Sequence, residues 1–427
     1  RSYECFRESI KVHLAAAGAR IQVRFLSCAS SRTMILFTTI LSAAAILAAT
    51  APSVRGLTTP NISLATLPIG YFGGLSVHPR PHANLAMLSK LRVVMIEKWE
   101  GHCWADCVRN TSVGLSCRSS CNAEREMMAT MKAVKALNPA VAVGYYQNSL
   151  YDWTMQLMNA QFAAIDGNMR DFKGSLIGIE QDNGLKNQQI FALNHPDVVN
   201  LYLENQRNLS TLGFIDGSYL DKPTVFPLYN LRGKERWSIC EVPSGPGSHK
   251  FANACADITA EQAANYTRGK NRLLDAVRKI WKPKGGYTLG VANSTLKLLH
   301  CNRNAKDSVF RATVSEFNQS ITKAFADPFA DSVFICVGDQ TWTHDPSDTA
   351  GLCNETIVAK VMMTLRPGVI IGCNGWRPMF ENPLGKPVGP ATLDSETLIW
   401  TRAFASGTYA KYYENSKIGR IFWSSDE

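Results

Sequence analysis

The sequence predicts an α/β protein, a closed (β/α)8 TIM barrel with disulfide-bearing loop insertions, and three observations lead there. From about Leu67 onward, short apolar strand-like runs alternate with amphipathic helix-like segments, a pattern that implies a parallel sheet. Eight such units in roughly 360 residues match a barrel of ordinary size with insertions. Several runs also end in an acid or an amide, at the rim where parallel barrels build their sites. The alternative is an open doubly wound sheet. That fold should carry a Gly-rich phosphate turn opening a helix, and Gly70-Tyr71-Phe72-Gly73-Gly74 does not lead into one.

The elements are expected in this order. Residues 68–74 and 91–99 form the first two strands, with a helix over 123–137 after the second. Residues 140–148 form the third strand, followed by a helix over 152–165. Pro196 opens a helix to about 209, because proline is tolerated in a first helical turn. The fourth strand ends at Asp221. A long helix over 259–281 begins with the capping-box spacing of Thr259 and Gln262. The fifth strand is placed at 287–293, then a helix over 309–326 and the sixth strand at 332–339. A helix over 354–365, the seventh strand at 368–374 and a helix over 395–405 follow. Residues 408–413 complete the barrel, paired with 418–423. Two insertions, 101–121 and 222–256, follow strand ends and belong on the active-site face.

The fourth strand, Gly213-Phe214-Ile215-Asp216-Gly217-Ser218-Tyr219-Leu220-Asp221, carries the sharpest signal. A strand buried on both faces should hold almost no charge, so its two acids need explanations. Their odd spacing puts them on opposite faces, roughly 16 Å apart along the chain. Asp221, at the C-terminal end, is the candidate for chemistry; Asp216 is expected to fix the strand or its neighbours. Glu97, Lys98 and Trp99 end the second strand, Tyr146 and Asn148 the third, and Asn293 the fifth. Asp339 with Trp342 ends the sixth, and Asn374 with Trp376 the seventh. Amides and acids hydrogen-bond sugar hydroxyls, and aromatic faces cover the apolar side of a pyranose. Trp99, Tyr146, Asn148, Asn293, Trp342, Asn374 and Trp376 are therefore the substrate-binding candidates. Glycoside hydrolysis needs two carboxyl groups flanking the scissile bond. Asp221 and Asp339 are the expected pair across the mouth, with Glu97 as reserve partner unless Lys98 holds it in a structural ion pair. Glu180 and Asp182 are further reserves.

Residues 1–55 read as a leader, and 56–427 as a single barrel domain. Within the leader, the apolar run 34–51 has the length and small-residue end of a signal-peptide core. It is also long enough to act as an uncleaved membrane anchor, with the basic residues before it placing the body outside. Seven Asn-x-Ser/Thr sequons follow, at Asn61, Asn110, Asn208, Asn265, Asn293, Asn318 and Asn354. Together with ten cysteines in the body, they point to a secreted glycoprotein with disulfides. Cys103, Cys107, Cys117 and Cys121 are expected to pair among themselves and Cys240 with Cys255; a zinc site in the first cluster is the weaker alternative. The leader supplies half of the net charge of +10, and the body has no basic run, so no nucleic-acid partner is expected. No cofactor signature and no Gly-x-Ser-x-Gly elbow occur.

The Asp-Gly-x-x-x-Asp run at 216–221 resembles the strand-four signature of polygalactosaminidase-like and related glycoside hydrolase barrels. The wider run from about Ile69 to Trp423 is similar to a group of secreted, glycoside-hydrolase-like proteins of protists and algae. Its landmarks are Tyr71-Phe72-Gly73-Gly74, the Lys98-Trp99-Glu100 turn, Tyr146-Gln147-Asn148-Ser149 and Arg402 through Thr408. The resemblance implies a barrel in which Asp221 is nucleophile or base, and it carries over no acid partner. Two functions follow as expectations: a secreted glycosidase acting on an extracellular or cell-wall polysaccharide, or a non-catalytic carbohydrate-binding surface barrel. A second carboxyl group beside Asp221 separates them.

Overall fold

The computed structural model describes residues 6–14, 19–27, 57, 60, 62–73, 82–98, 100, 123–152, 158–171, 173–174, 176, 178–179, 188–221, 228–229, 237–239, 256–290, 294–299, 312–336, 353–373 and 376–424. Two compact units are present, residues 1–55 and 56–427. The first contains an antiparallel hairpin of Phe6–Leu14 and Ala19–Ser27. The apolar run 34–51 lies outside the described residues, as do all six cysteines of the predicted loop pairings.

In the second unit eight parallel strands close into a barrel. They are β1 (Ile69–Gly73), β2 (Val93–Ile96), β3 (Ala142–Asn148), β4 (Gly217–Asp221), β5 (Tyr287–Gly290), β6 (Leu296–Leu299), β7 (Ser332–Cys336) and β8 (Val369–Gly372). Each pairs with the next, and β8 closes on β1 through Ile371 and Gly372 opposite Ile69 and Gly70. The described helices are α1 (His82–Leu88), α2 (Ala123–Leu137), α3 (Met158–Ala164), α4 (Pro196–Leu209), α5 (Ala260–Trp281), α6 (Val314–Phe325) and α7 (Glu355–Met362). The capping box that opens α5 forms as the spacing predicts: Thr259 Oγ1 accepts from Gln262 N (3.1 Å), and Gln262 Oε1 accepts from Thr259 N (2.8 Å). Thr313 and Glu316 make the same reciprocal cap on α6.

Three strand and helix assignments are corrected. Leu296–Leu299, unassigned in the sequence, is the sixth barrel strand, so 332–336 is the seventh and 369–372 the eighth. It escapes the alternating pattern because only residues 291–295 separate it from β5, yet the two strands run parallel. Parallel neighbours usually need a crossover of a dozen or more residues. Here the return is stitched by Thr288 and Thr295, each backbone N–H donating to the other's hydroxyl (3.0 and 3.2 Å). Residues 408–413 are not a barrel strand. With β9 (Thr392–Asp394), β10 (Ile399–Ala403) and β12 (Ile418–Phe422), β11 (Tyr409–Tyr413) forms a separate four-stranded antiparallel sheet. The helix expected over 395–405 is thereby replaced by a hairpin whose turn carries Leu398 at φ 56°.

The barrel interior is filled by rings. Phe72 meets Tyr219 edge-on at 4.8 Å and Phe334 at 6.4 Å, and Tyr146 meets Tyr219 at 5.5 Å. Glycines make the space for them. A Cβ on Gly70 or Gly372 would lie 2.5 or 2.2 Å from the Phe334 ring. A disulfide joins Cys353, just before the Asn354 cap of α7, to Cys373 at the exit of β8, and Cys336 is disulfide-bonded as well.

Candidate functional site

The pairing of β3 with β4 builds the site. Tyr146 lies opposite Tyr219 and Asn148 opposite Asp221. Because side chains alternate along a strand, Tyr-x-Asn on one strand and Tyr-x-Asp on the next share a single face. Their polar atoms converge on one carboxylate. Asp221 Oδ2 accepts from the Tyr146 hydroxyl (2.8 Å) and from Asn148 Nδ2 (3.0 Å), and Oδ1 accepts from the Tyr219 hydroxyl (3.3 Å). Asn148 cannot turn its amide round, since Oδ1 accepts from the backbone N–H groups of Leu150 and Tyr151 (2.8 and 2.7 Å). The Asp221 carbonyl accepts from both the hydroxyl and the N–H of Ser149 (2.7 and 3.0 Å). Asp221 is thus held at both oxygens and at its backbone while its side chain stays only half-buried.

The neighbouring strand supplies a second carboxyl. Glu97 leaves β2 in a tight turn closed by Glu100 N donating to Glu97 O (3.1 Å) and fixed to β1 by Glu97 N donating to Gly73 O (2.9 Å). Thr130 of α2 anchors the turn by donating to Glu100 Oε1 (2.6 Å). Glu97 is 2 % exposed, and its Oε2 accepts no hydrogen bond among the described residues. Burial pushes its carboxyl up to about 8; the nearby Lys98 cation works against that shift, and the negative charge of Asp221 adds to it. Lys98 Nζ lies 3.7 Å from Glu97 Oε2 and 4.2 Å from the centre of the Tyr146 ring. Burial, reinforced by the charges of Asp221 and Glu97, raises the hydroxyls of Tyr146 and Tyr219 well above their usual range, so both stay protonated donors. The arrangement places a buried carboxyl whose proton affinity is raised, in part by the charge of Asp221, at the same barrel mouth as the Asp221 side chain held by three donors.

The structure therefore brings together Asp221, Glu97, Tyr146 and Asn148. The last two, expected to bind substrate, are buried and engaged with Asp221. Tyr219 was missed by sequence reasoning, although the alternation Tyr-x-Asp on the strand was the available signal. The described contacts of Trp376 lie outside this group. It packs half-buried on the core, with Lys90 from the loop that feeds β2 lying 3.7 Å from its ring centre. Trp99, Asn293, Asp339, Trp342, Asn374, Glu180 and Asp182 lie outside the described residues. Asp216 sits at the other end of the strand. Its Oδ2 accepts from Val143 N (2.8 Å) and pairs with Lys135 of α2 at 2.6 Å, fully within the protein.

No family model matches the chain, and no curated protein does. Among solved structures it is similar to a GH31 family sulfoquinovosidase from E. rectale, at 15% identity and a TM-score of 0.44 over 84% of this chain and 49% of that one. It is also similar to the glycoside hydrolase domain of PelA from Pseudomonas aeruginosa, at 11% identity and a TM-score of 0.35 over 73% of this chain and 95% of that one. A maltogenic alpha-amylase, AmyB from Thermotoga neapolitana, matches at 9% identity and a TM-score of 0.45 over 82% and 85%. The chain spans about half the length of the first of these. At these identities and scores the functional case rests on the site's own chemistry.

Proposed function

We propose that the chain is a glycosidase that cleaves a polysaccharide or oligosaccharide with two carboxyl groups, Asp221 as nucleophile or base and Glu97 as proton donor. One observation carries the proposal. Glu97 is buried with its carboxyl raised to about 8, and the charge of Asp221 is one of the causes. One acid raised in this way, at a site that holds a second carboxyl group, suits the division of labour that glycoside cleavage needs. Glu97 takes the acid role ahead of Asp339 because its proton follows from described contacts. The same neighbourhood favours catalysis over a binding-only barrel, for which Asp221 would stand without a second acid.

A hydrolysis screen over a glycan panel tests this with three proteins. Wild type should release reducing sugar from at least one glycan. Asp221→Asn should lose at least about 1,000-fold in rate on every substrate. Glu97→Gln should lose as much on natural glycans but recover on nitrophenyl glycosides, whose leaving group needs little protonation. Folded wild type that binds a glycan without cleaving any would sink the enzymatic proposal and favour the binding barrel.

We also propose that the protein acts outside the cell. Two of its sequon asparagines, Asn208 and Asn318, are exposed on α4 and α6, and the chain carries the Cys353–Cys373 disulfide. Glycan removal from the native protein should lower its mass, and by less in Asn208→Gln and Asn318→Gln. A native protein of unmodified mass recovered from inside the cell would count against export.

A further inference from the structure

Asn148 ends β3 at a turn that an aspartate would close equally well. Its Oδ1 accepts from the backbone N–H groups of Leu150 (2.8 Å) and Tyr151 (2.7 Å), an Asx-turn in which an amide or a carboxylate oxygen serves alike. What an aspartate would lack is the other half of the amide. Backbone N–H groups only donate, so the atom facing them is the oxygen and Nδ2 is committed to the opposite side. There it donates to the Tyr146 hydroxyl and to Asp221 Oδ2, each at 3.0 Å. The residue is buried, and its own carbonyl accepts from the Tyr202 hydroxyl of α4 (3.0 Å), so main chain and side chain are both held. Ser149, the next residue, donates its hydroxyl and its N–H to the Asp221 carbonyl.

We propose that Asn148 is the positioning residue of the site, an amide that sets the direction of its hydrogen bonds and thereby aims Asp221 at the substrate. Tyr146 receives a proton from Asn148 and gives its own to Asp221 Oδ2 at 2.8 Å. The chain of donors therefore runs one way, from the β3 turn to the carboxylate, and each bond in it strengthens the next. A carboxylate at position 148 would reverse that direction, drawing the Tyr146 proton away and setting an anion against Asp221. The amide is thus explained by the carboxylate across the strand pair, not by the turn it closes. The catalytic meaning of this assignment rests on the two-carboxyl proposal; the direction of the hydrogen bonds does not.

The test is Asn148→Asp in the full chain, which keeps the bonds to Leu150 and Tyr151 and replaces the donor by an acceptor. The titratable groups around it among the described residues are Tyr146 of β3, Asp221 and Tyr219 of β4 and Tyr202 of α4, with Glu97 and Lys98 acting on Tyr146. Two carboxyl groups at hydrogen-bond distance hold one proton between them strongly, so acid restores a donor to the new side chain and alkali leaves two repelling anions. At pH 8 kcat should fall at least about 100-fold with KM within about threefold of wild type, and at pH 5 the deficit should shrink at least about tenfold. A raised KM with kcat unchanged would make Asn148 a sugar contact and overturn the proposal. An equal deficit at both pH values would make it a scaffold residue and overturn it as well. A second measurement leaves Asn148 in place. Nitrogen-15 labelling of asparagine follows its side-chain amide, assigned from nuclear Overhauser contacts with the Tyr146 ring. Tyr146→Phe and Asp221→Asn should each move an Asn148 amide proton upfield, since each removes or neutralises an acceptor. An unmoved amide in folded Asp221→Asn overturns the proposal even if Asn148→Asp does not fold. The amide moving as stated in a wild type that hydrolyses nothing would sink the glycosidase proposal and uphold the hold of Asn148 on Asp221.

Discussion

At the residue scale the informative feature is a carboxyl group that keeps its proton. Glu97 has an ordinary value of 4.5 and is raised to about 8 in the folded chain, first by burial. The folded state therefore holds a proton between those two values that the unfolded chain releases. The associated stability is complete below about pH 4.5 and is lost as pH rises through about 8. Glu97→Gln cannot lose that proton. Its unfolding free energy should stay nearly flat where wild type falls by on the order of several kcal/mol, since each tenfold gain in proton affinity on folding is worth about 1.4 kcal/mol. Urea unfolding at pH 5 and pH 8.5 checks this, and parallel slopes for the two proteins would refute it. The Tyr146 hydroxyl gives a second residue-scale prediction. Tyr146→Phe keeps the ring under Lys98 but removes one donor from Asp221. A hydrogen bond to a charged group is worth about 1.5–3 kcal/mol, so the hydrolysis rate should fall roughly 10- to 100-fold with the fold intact.

At the scale of elements, the contact between α7 and the C-terminal sheet decides how the chain after the barrel is held. The main chain of β12 lies directly on the helix: Thr356 Oγ1 accepts from Gly419 N (3.2 Å), and Glu355 Oε1 accepts from Ile421 N (2.7 Å). Arg402 of β10 adds two bonds to the carbonyls at the end of α7, Met362 and Met363 (3.1 and 2.7 Å). A Cβ at position 419 would come within 2.7 Å of both Ala359 Cβ and Thr356 O. Gly419→Ala should therefore force sheet and helix apart and cost about 1–3 kcal/mol. Thermal unfolding measures the loss. A variant as stable as wild type would show that the sheet docks by other contacts.

At the scale of the whole molecule, a parallel barrel separates stability at one end from chemistry at the other. Strand β4 displays both, with Asp216 just before its start and Asp221 at its end. Asp216 ties β3 and α2 together through Val143 and Lys135. Asp216→Asn would leave Lys135 buried beside a neutral amide, and breaking a buried pair in this way costs about 3–5 kcal/mol. Denaturant unfolding should register that loss, while turnover at low temperature stays near wild type. Asp221→Asn should do the opposite. If Asp216→Asn abolishes turnover in a folded protein, the separation of the two ends is wrong.

What the sequence determined by itself was local. Apolar runs fixed most barrel strands to within a few residues, the Thr259–Gln262 spacing fixed a helix start, and an acid at the end of a buried strand marked Asp221. Each of these signals lies within a handful of consecutive residues, where burial and backbone satisfaction act directly on composition. The tertiary structure alone decided the rest. Leu296–Leu299 became a strand because β5 and β7 offered it hydrogen bonds on both sides, which overrode the missing crossover. Residues 399–403 became a strand rather than a helix because β9 and β11 flank them. Tyr146 and Asn148 reach Asp221 through the register of β3 on β4, which no single segment encodes. The rise of Glu97 to about 8 is likewise a property of burial and of the Asp221 charge on another strand. Pairing, register and dielectric environment arise from contacts between distant segments, and those exist only once the barrel has closed.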